Sequence, residues 1–202
     1  LSGAMSVREQ DHALSDPGDA RRVIVSTAVA ESSLTVPGVR LVVDSGLSRE
    51  PRLDRDRGMT GLVTVRESRA SAIQRAGRAA RLGPGVAVRS LRPQDWSGMD
   101  ADPAPEVDHA DLVAPLFALA VWGSPRGEGM ALPTPLPQDR VAEAEEELRD
   151  LGAVDADGRV TERGRQLATD PVDPRLARAL IDGAPIVGSR RCAEIVAMLG
   201  LD

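Results

Sequence analysis

Two short apolar runs, Val23-Ile24-Val25 and Val39-Arg40-Leu41-Val42-Val43, stand thirteen residues apart and read as strands. Thirteen residues is near the minimum for a crossover between parallel strands, and the uninterrupted apolar character predicts a sheet covered on both faces. The spacing therefore selects an α/β architecture. A short helix over residues 5–15, ended by Asp16-Pro17-Gly18, precedes the first run. After the second, Arg49 to Leu53 and Leu62 to Val65 flank the polar stretch Asp54-Arg55-Asp56-Arg57-Gly58, which predicts an antiparallel hairpin projecting from the sheet. An arginine-bearing helix follows, and residues 85–91 read as a further strand.

Residues 93–106 are rich in proline, glycine and aspartate, and a linker is placed at 95–106. It closes a first domain over 1–94. Beyond it, Leu112 to Trp122 reads as a helix closed by Gly123, and Val141, Ala144, Leu148 and Leu151 recur at helical spacing. Asp155-Ala156-Asp157-Gly158 turns a small hairpin between Val154 and Val160, and Thr161 caps a helix over 162–168. Helix, helix, hairpin is winged-helix order, assigned to 107–170. Residues 171–202 hold two helical runs joined at Gly183-Ala184-Pro185. Glu143, Glu145, Glu146 and Glu147 read as a solvated helix face, and Cys192 as buried packing.

The stretch Gln74-Arg75-Ala76-Gly77-Arg78-Ala79-Ala80-Arg81 carries the clearest chemistry. At about 100° per residue, Gln74, Arg78 and Arg81 fall within roughly 60° of one another, while Ile73, Ala76 and Ala80 point away. Such a face suits a polyanion. Ser71 is positioned to cap this helix and Gly83-Pro84 to end it. A glycine inside a helix costs about 1 kcal/mol relative to alanine, so Gly77 suggests close approach of another backbone or a phosphate. Ser26 to Thr35 begins where the first strand ends, and hydroxyls with free amides at that edge of a parallel sheet can hold phosphates.

Composition narrows the function classes. All 25 basic residues are arginine, so no complete G-x-x-x-x-G-K-[ST] phosphate loop exists in this chain. Residues 1–94 hold 15 arginines against 10 acidic residues and residues 95–202 hold 10 against 21, giving +5 and −11. Anion binding therefore belongs to the first half. Trp96, Trp122 and Phe117 are the only aromatic residues, which excludes extended base-stacking platforms. Cys192 is the only cysteine, and His12 and His109 have no ligand-like neighbours, so neither disulfides nor a metal site is expected and a reducing cytoplasm fits. No run is long and apolar enough for a membrane span. The first residue, Leu1, and the last, Asp202, give the chain the look of an excised segment.

Ser26-Thr27-Ala28-Val29-Ala30-Glu31-Ser32-Ser33-Leu34-Thr35-Val36 resembles motif V of the DEAH-box superfamily 2 helicases, and Gln74 to Arg81 resembles their motif VI, Q-R-x-G-R-x-G-R. Val42 to Arg49 is similar to the strand and hairpin start between them. Asp108 to Gly123 and Leu151 to Gly164 look like the winged-helix domain of the family's bacterial HrpB branch. The resemblance implies a partial RecA-like α/β domain with a β-hairpin insertion, a mainly α winged-helix domain and the start of a helical ratchet domain.

On this resemblance, Gln74, Arg78 and Arg81 face the γ-phosphate of ATP, with the arginines stabilising charge in phosphoryl transfer. It further implies nucleotide contacts from Ser33, Thr35 and Gly77, and contacts to an RNA or DNA single strand from Thr27, Arg49, Arg52, Arg55 and Arg57. Mg2+ would be held mainly by a first RecA-like domain, absent here with its phosphate loop and Asp-Glu-x-His box, so this segment alone should be inactive within an ATP-dependent helicase. Ala28, Pro37 and Ala80 depart from the family pattern, and Leu14 is the nearest apolar candidate for stacking on a base. A non-enzymatic winged-helix regulator, or an adaptor built on a degenerate RecA fold, is the competing reading. The four glutamates of its helix would oppose entry into a DNA groove.

Overall fold

The structure is a computed structural model and describes residues 1–15, 18, 20–32, 36–54 and 59–200. The chain divides into two compact units, Leu1–Pro51 with Gly61–Ala104 and Arg52–Thr60 with Pro105–Asp202.

The first unit opens with α1 (Val7–Leu14), where Ser6 and Glu9 cap each other's amides reciprocally. Then come α2 (Val29–Ser32), β1 (Leu41–Asp44), β2 (Leu47–Asp54), β3 (Met59–Arg66), α3 (Arg69–Gly77), β4 (Val86–Arg89) and α4 (Pro93–Ser97), with the hairpin end Arg52–Thr60 counted in the second unit. β1 and β4 pair in parallel, Leu41 opposite Val86 and Asp44 opposite Arg89. β2 and β3 form their own two-stranded sheet, and the four residues joining them are too few for a crossover, so the pair is the expected antiparallel hairpin. Gly85 directly precedes β4, where an added Cβ would stand 2.0 Å from the Ala79 carbonyl oxygen, so no larger residue fits there.

Several expectations change. Val23–Val25 is not a sheet strand. Among the described residues its backbone bonds to Leu1, whose amino group donates to the Val25 carbonyl at 2.5 Å, and just beyond it the Thr27 amide donates to the Leu1 carbonyl. Nor is the sheet covered on both faces: Leu41, Val43, Val86 and Val88 are exposed, while Val42 is half-buried and Asp44 buried. Residues 95–104, read as linker, are packed. Met99 is buried, and the amides of Arg69 and Ala70 donate to the carbonyls of Asp100 and Ala101.

The second unit holds α5 (Val113–Trp122), α6 (Gln138–Asp150), α7 (Glu162–Leu167), α8 (Pro174–Val187) and α9 (Ser189–Leu199). Leu116, Phe117, Val141, Leu148 and Leu167 belong to its core. α5 ends at Gly123 with φ +96°, as its sequence position required. Val154 and Val160 pair antiparallel around the Asp155–Gly158 turn, and Thr161 Oγ1 caps α7 by accepting from the Gly164 amide at 2.9 Å. The join expected at Gly183-Ala184-Pro185 lies inside α8, and the break falls at Gly188, φ +87°. Gly183 serves packing instead, since a Cβ there would meet Cys192 Sγ at 2.9 Å, and Cys192 is buried as expected.

The glutamates of α6 are not a uniformly solvated face. Glu145 is buried and receives Arg126 through two bonds of 2.6 and 3.0 Å, and Glu147 pairs with Arg175. Arg175 also reaches Asp111 at 2.6 Å and Asp173 at 3.5 Å, fastening the approach to α5, the face of α6 and the cap of α8 to one guanidinium. Hydrogen bonds to Glu147 and Asp111 push its pKa above the ordinary arginine value despite partial burial. Periodicity alone cannot distinguish a charge facing water from one facing an arginine brought in from elsewhere in the chain.

Gly164 sits where an added Cβ would stand 2.1 Å from the Ala153 carbonyl oxygen and 2.8 Å from Val160. Gly164→Ala is expected to destabilise this unit by about 1–3 kcal/mol, a melting-temperature loss of several degrees. Calorimetry checks it, and an unchanged transition would mean that the Val154–Val160 turn can move aside.

Candidate functional site

The arginine stretch is shorter as a helix than its sequence suggests. Ser68, not Ser71, caps α3: its Oγ accepts from the Ser71 amide at 3.1 Å. The α-helix ends at Gly77, and the amides of Arg78, Ala79 and Ala80 donate to carbonyls only three residues back, a tightening into turn that lets Gly85 and β4 follow at once. The buried positions are Ala72 and Ala79, while Ile73 and Ala80 are exposed, so the apolar side differs from the expected one. Gly77 has open space around it, with nothing within 4 Å of an added Cβ. No other described backbone of the chain therefore accounts for this glycine.

The residue at the centre of this unit is Arg75, which helical spacing leaves off the polar face. Its side chain is 15% exposed, and it meets Glu31 at 2.9 Å, Asp44 at 3.1 Å, Glu67 at 2.8 Å and the Leu47 carbonyl at 2.9 Å. These partners come from α2, the end of β1, the start of α3's lead-in and the start of β2. A guanidinium fork can serve such a set because its donors point in fixed, divergent directions. Hydrogen bonding to Glu31 and the three surrounding carboxylates raise the Arg75 pKa against the opposing effect of burial. The signal was present in the sequence only as an arginine off the exposed face of a helix otherwise lined by alanine.

Arg78 is half-buried and donates through Nε to the Glu31 main-chain carbonyl at 2.8 Å, with a second donor on the same oxygen. Gln74 and Arg81 are exposed. The described residues thus join the 26–36 stretch to the 74–81 stretch through one residue, Glu31. Ser33 and Thr35 lie outside the described residues, as do Arg55 and Arg57 of the hairpin turn. Thr27 is exposed beside α2, and Arg49 and Arg52 are exposed on β2. Among the described residues no cluster of three His, Cys, Asp or Glu side chains could hold a metal ion, and no helix is long and apolar enough to cross a membrane.

Residues 1–83 match the helicase conserved C-terminal domain, and residues 144–169 match the winged-helix helicase associated domain, HA2. The chain is similar to the ATP-dependent RNA helicase HrpB of Escherichia coli (strain K12), with 36% identity over 98% of this chain and 25% of that protein. It is also similar to the probable ATP-dependent RNA helicase DHR2 of Saccharomyces cerevisiae (strain ATCC 204508 / S288c), with 32% identity over 92% and 25%. Two crystal structures of E. coli HrpB match 98% of this chain and 25% of theirs at 35% identity, with TM-scores of 0.86 and 0.88. The chain spans about a quarter of the length of these relatives. The likeness agrees with the parallel pairing, hairpin and helical region described above.

Glu67 has a side chain with no exposure at all, and although Arg75 is 2.8 Å away, neither of its oxygens has an aligned hydrogen bond from that donor. Asp44 Oδ2 is likewise buried without a donor. A proton on Glu67 donated toward Asp44 satisfies Asp44 Oδ2 and one of the two Glu67 oxygens. Burial pushes the Glu67 carboxyl up from 4.5 to about 7, with Arg75 opposing and Asp44 and Glu31 reinforcing the rise. Between those two pH values the folded chain binds a proton that the unfolded chain has released, so stability falls as pH rises through this window. Glu67→Gln should flatten that dependence between pH 4.5 and 7, measured by denaturant unfolding at several pH values. A slope that survives the substitution would assign the proton elsewhere.

Proposed function

Because the chain belongs to the DEAH-box helicases, on their HrpB branch, we propose that it supplies the arginine-bearing side of an ATP site and part of the surface that holds the nucleic-acid strand during translocation. The observation that carries this is the junction of the two motif stretches through Glu31, with Arg78 seated on one side and the exposed Gln74 and Arg81 on the other. Arg78 and Arg81 offer only donors, which suit phosphate oxygens and cannot ligate Mg2+. The carboxylates of Glu31 and Asp44 pair with Arg75. The family resemblance assigns the metal, the phosphate loop and the water-positioning acid to another RecA-like domain, so in this reading the segment by itself turns over no ATP.

In this reading ATP provides the transferable γ-phosphoryl group. Arg78 and Arg81 place fixed positive charge where negative charge grows on the transferring phosphoryl oxygens, and Gln74 orients a donor toward the same region. The open space at Gly77 leaves room for a phosphate to reach the end of α3, and Ser33 and Thr35 would contact the nucleotide from the other stretch. The relatives named above are RNA helicases, which favours RNA over DNA. Thr27 and the hairpin arginines Arg49, Arg52, Arg55 and Arg57 would contact the strand backbone. In the same reading 1–94 is the RecA-like part, which the packing of the structure extends to Ala104, 107–170 is a winged helix that bridges rather than reads nucleic acid, and 171–202 is the start of a ratchet domain.

In a full-length helicase carrying this segment, Arg78→Ala or Arg81→Ala is expected to lower kcat on the order of 10³-fold or more while ATP binding is largely kept. An unchanged steady-state rate in both would remove the arginines from the chemistry. For strand binding, neutralising Arg49, Arg52, Arg55 and Arg57 should abolish the weak, steeply salt-dependent affinity of the chain for single strands. Changing Arg159 and Arg163 on the winged-helix side should barely alter it. Fluorescence anisotropy decides, and the larger loss from the second pair would restore the winged-helix regulator reading.

A further inference from the structure

Glu31 is gripped at both ends of its own residue. Its carboxylate accepts from Arg75 Nε at 2.9 Å, while its main-chain carbonyl accepts from Arg78 Nε at 2.8 Å. Arg75 and Arg78 are one helical turn apart at the close of α3, so their side chains embrace the α2 turn from neighbouring positions. The grip is itself anchored. Arg75 is held in turn by buried Asp44 at the end of β1 and by buried Glu67 at the foot of the hairpin, so its guanidinium has little freedom to follow Glu31 if α2 shifts.

We propose that Glu31 is a positioning residue for Arg78: clamped through its carboxylate by Arg75, it presents the carbonyl that fixes the direction of the Arg78 guanidinium. The inference rests on the reading that Arg78 acts on the transferring phosphoryl group. It adds a division of labour within the arginine stretch, in which Arg75 never meets the nucleotide and acts only through Glu31. The Arg78 guanidinium carries five donors, and the Glu31 carbonyl engages two of its nitrogens on the Nε side, which fixes the direction of the fork on that edge. Without the Arg75–Glu31 pair the carbonyl is still present, but the α2 turn that carries it loses its side-chain tie to Asp44 and Glu67 through Arg75.

Glu31→Gln keeps side-chain volume and the carbonyl and removes the charge that faces Arg75. In a full-length helicase carrying this segment, kcat should fall roughly 10- to 100-fold, as expected for a misaimed catalytic group, with KM for ATP changed less than about twofold. Arg75→Lys, which keeps a cation among the three carboxylates but loses the fork, should give the same split and serves if Glu31→Gln folds poorly. The decisive comparison is the double variant Glu31→Gln/Arg78→Ala, which should be no slower than Arg78→Ala alone, because removing the guanidinium leaves nothing to aim. Additive losses in that cycle, or a normal kcat in Glu31→Gln and Arg75→Lys beside an impaired Arg78→Ala, would overturn the positioning role while leaving the reading of Arg78 intact. A normal rate in Arg78→Ala would instead overturn that reading and the inference with it. A separate readout on the chain alone is the Arg78 Nε–H resonance, which should shift or broaden in Glu31→Gln, and an unmoved resonance counts against the clamp.

Discussion

One guanidinium among three carboxylates holds the first unit together. Arg75 draws in α2, β1 and the foot of the hairpin, elements that share little apolar packing, since most large side chains of β1 and β4 face outward. Burying three acids against one base is costly unless a proton or further donors make up the difference, and breaking such a set is more costly still, by about 3–5 kcal/mol when one partner is removed. The chain meets the cost in two ways. The Gly46 amide donates to Asp44 Oδ1 at 3.1 Å, and Glu67 favours its protonated form.

The second unit repeats the device with different surroundings. Arg175 gathers Asp111, Glu147 and Asp173, but its partners are partly exposed and sit on a unit with a real apolar core of Leu, Val, Ala and one Phe. There the arginine trims the packing of helices that would meet anyway. In the first unit it substitutes for packing. The same residue type thus plays a supporting part in one half and the principal part in the other, and the absence of lysine leaves every such post to a planar, forked cation.

Much of this was legible in the residues, for reasons that are local. Gly123, Thr161 and the Asp155–Gly158 turn act on their immediate neighbours, so the winged-helix order of elements could be read directly. The hairpin followed from its polar centre. What could not be read depended on distant partners. Val23–Val25 looks like a strand because it is apolar, yet a strand needs a neighbour to pair with, and among the described residues it finds Leu1 and no strand. Arg75 looked like the wrong side of an arginine face because its three acids lie 8, 31 and 44 residues away in the chain. Helical spacing groups Gln74 with Arg78 and Arg81 on the assumption that the helix runs on, and it could not foresee that α3 tightens after Gly77 and sends Arg78 to the Glu31 carbonyl.

The placement of the two tryptophans has a practical consequence. Trp96 is half-buried in the first unit beneath the Arg89 guanidinium, 4.5 Å from its ring centre, whereas Trp122 in the second unit is 80% exposed, and the chain has no tyrosine. A ring already in water changes its emission little on unfolding, while a ring stacked under a cation in a partly apolar setting gives up both the cation and its shelter from water. Intrinsic fluorescence is therefore a nearly private reporter of the unit that carries Arg75. The helical second unit is best followed by circular dichroism, so the two optical signals separate the melting of the two halves without any label.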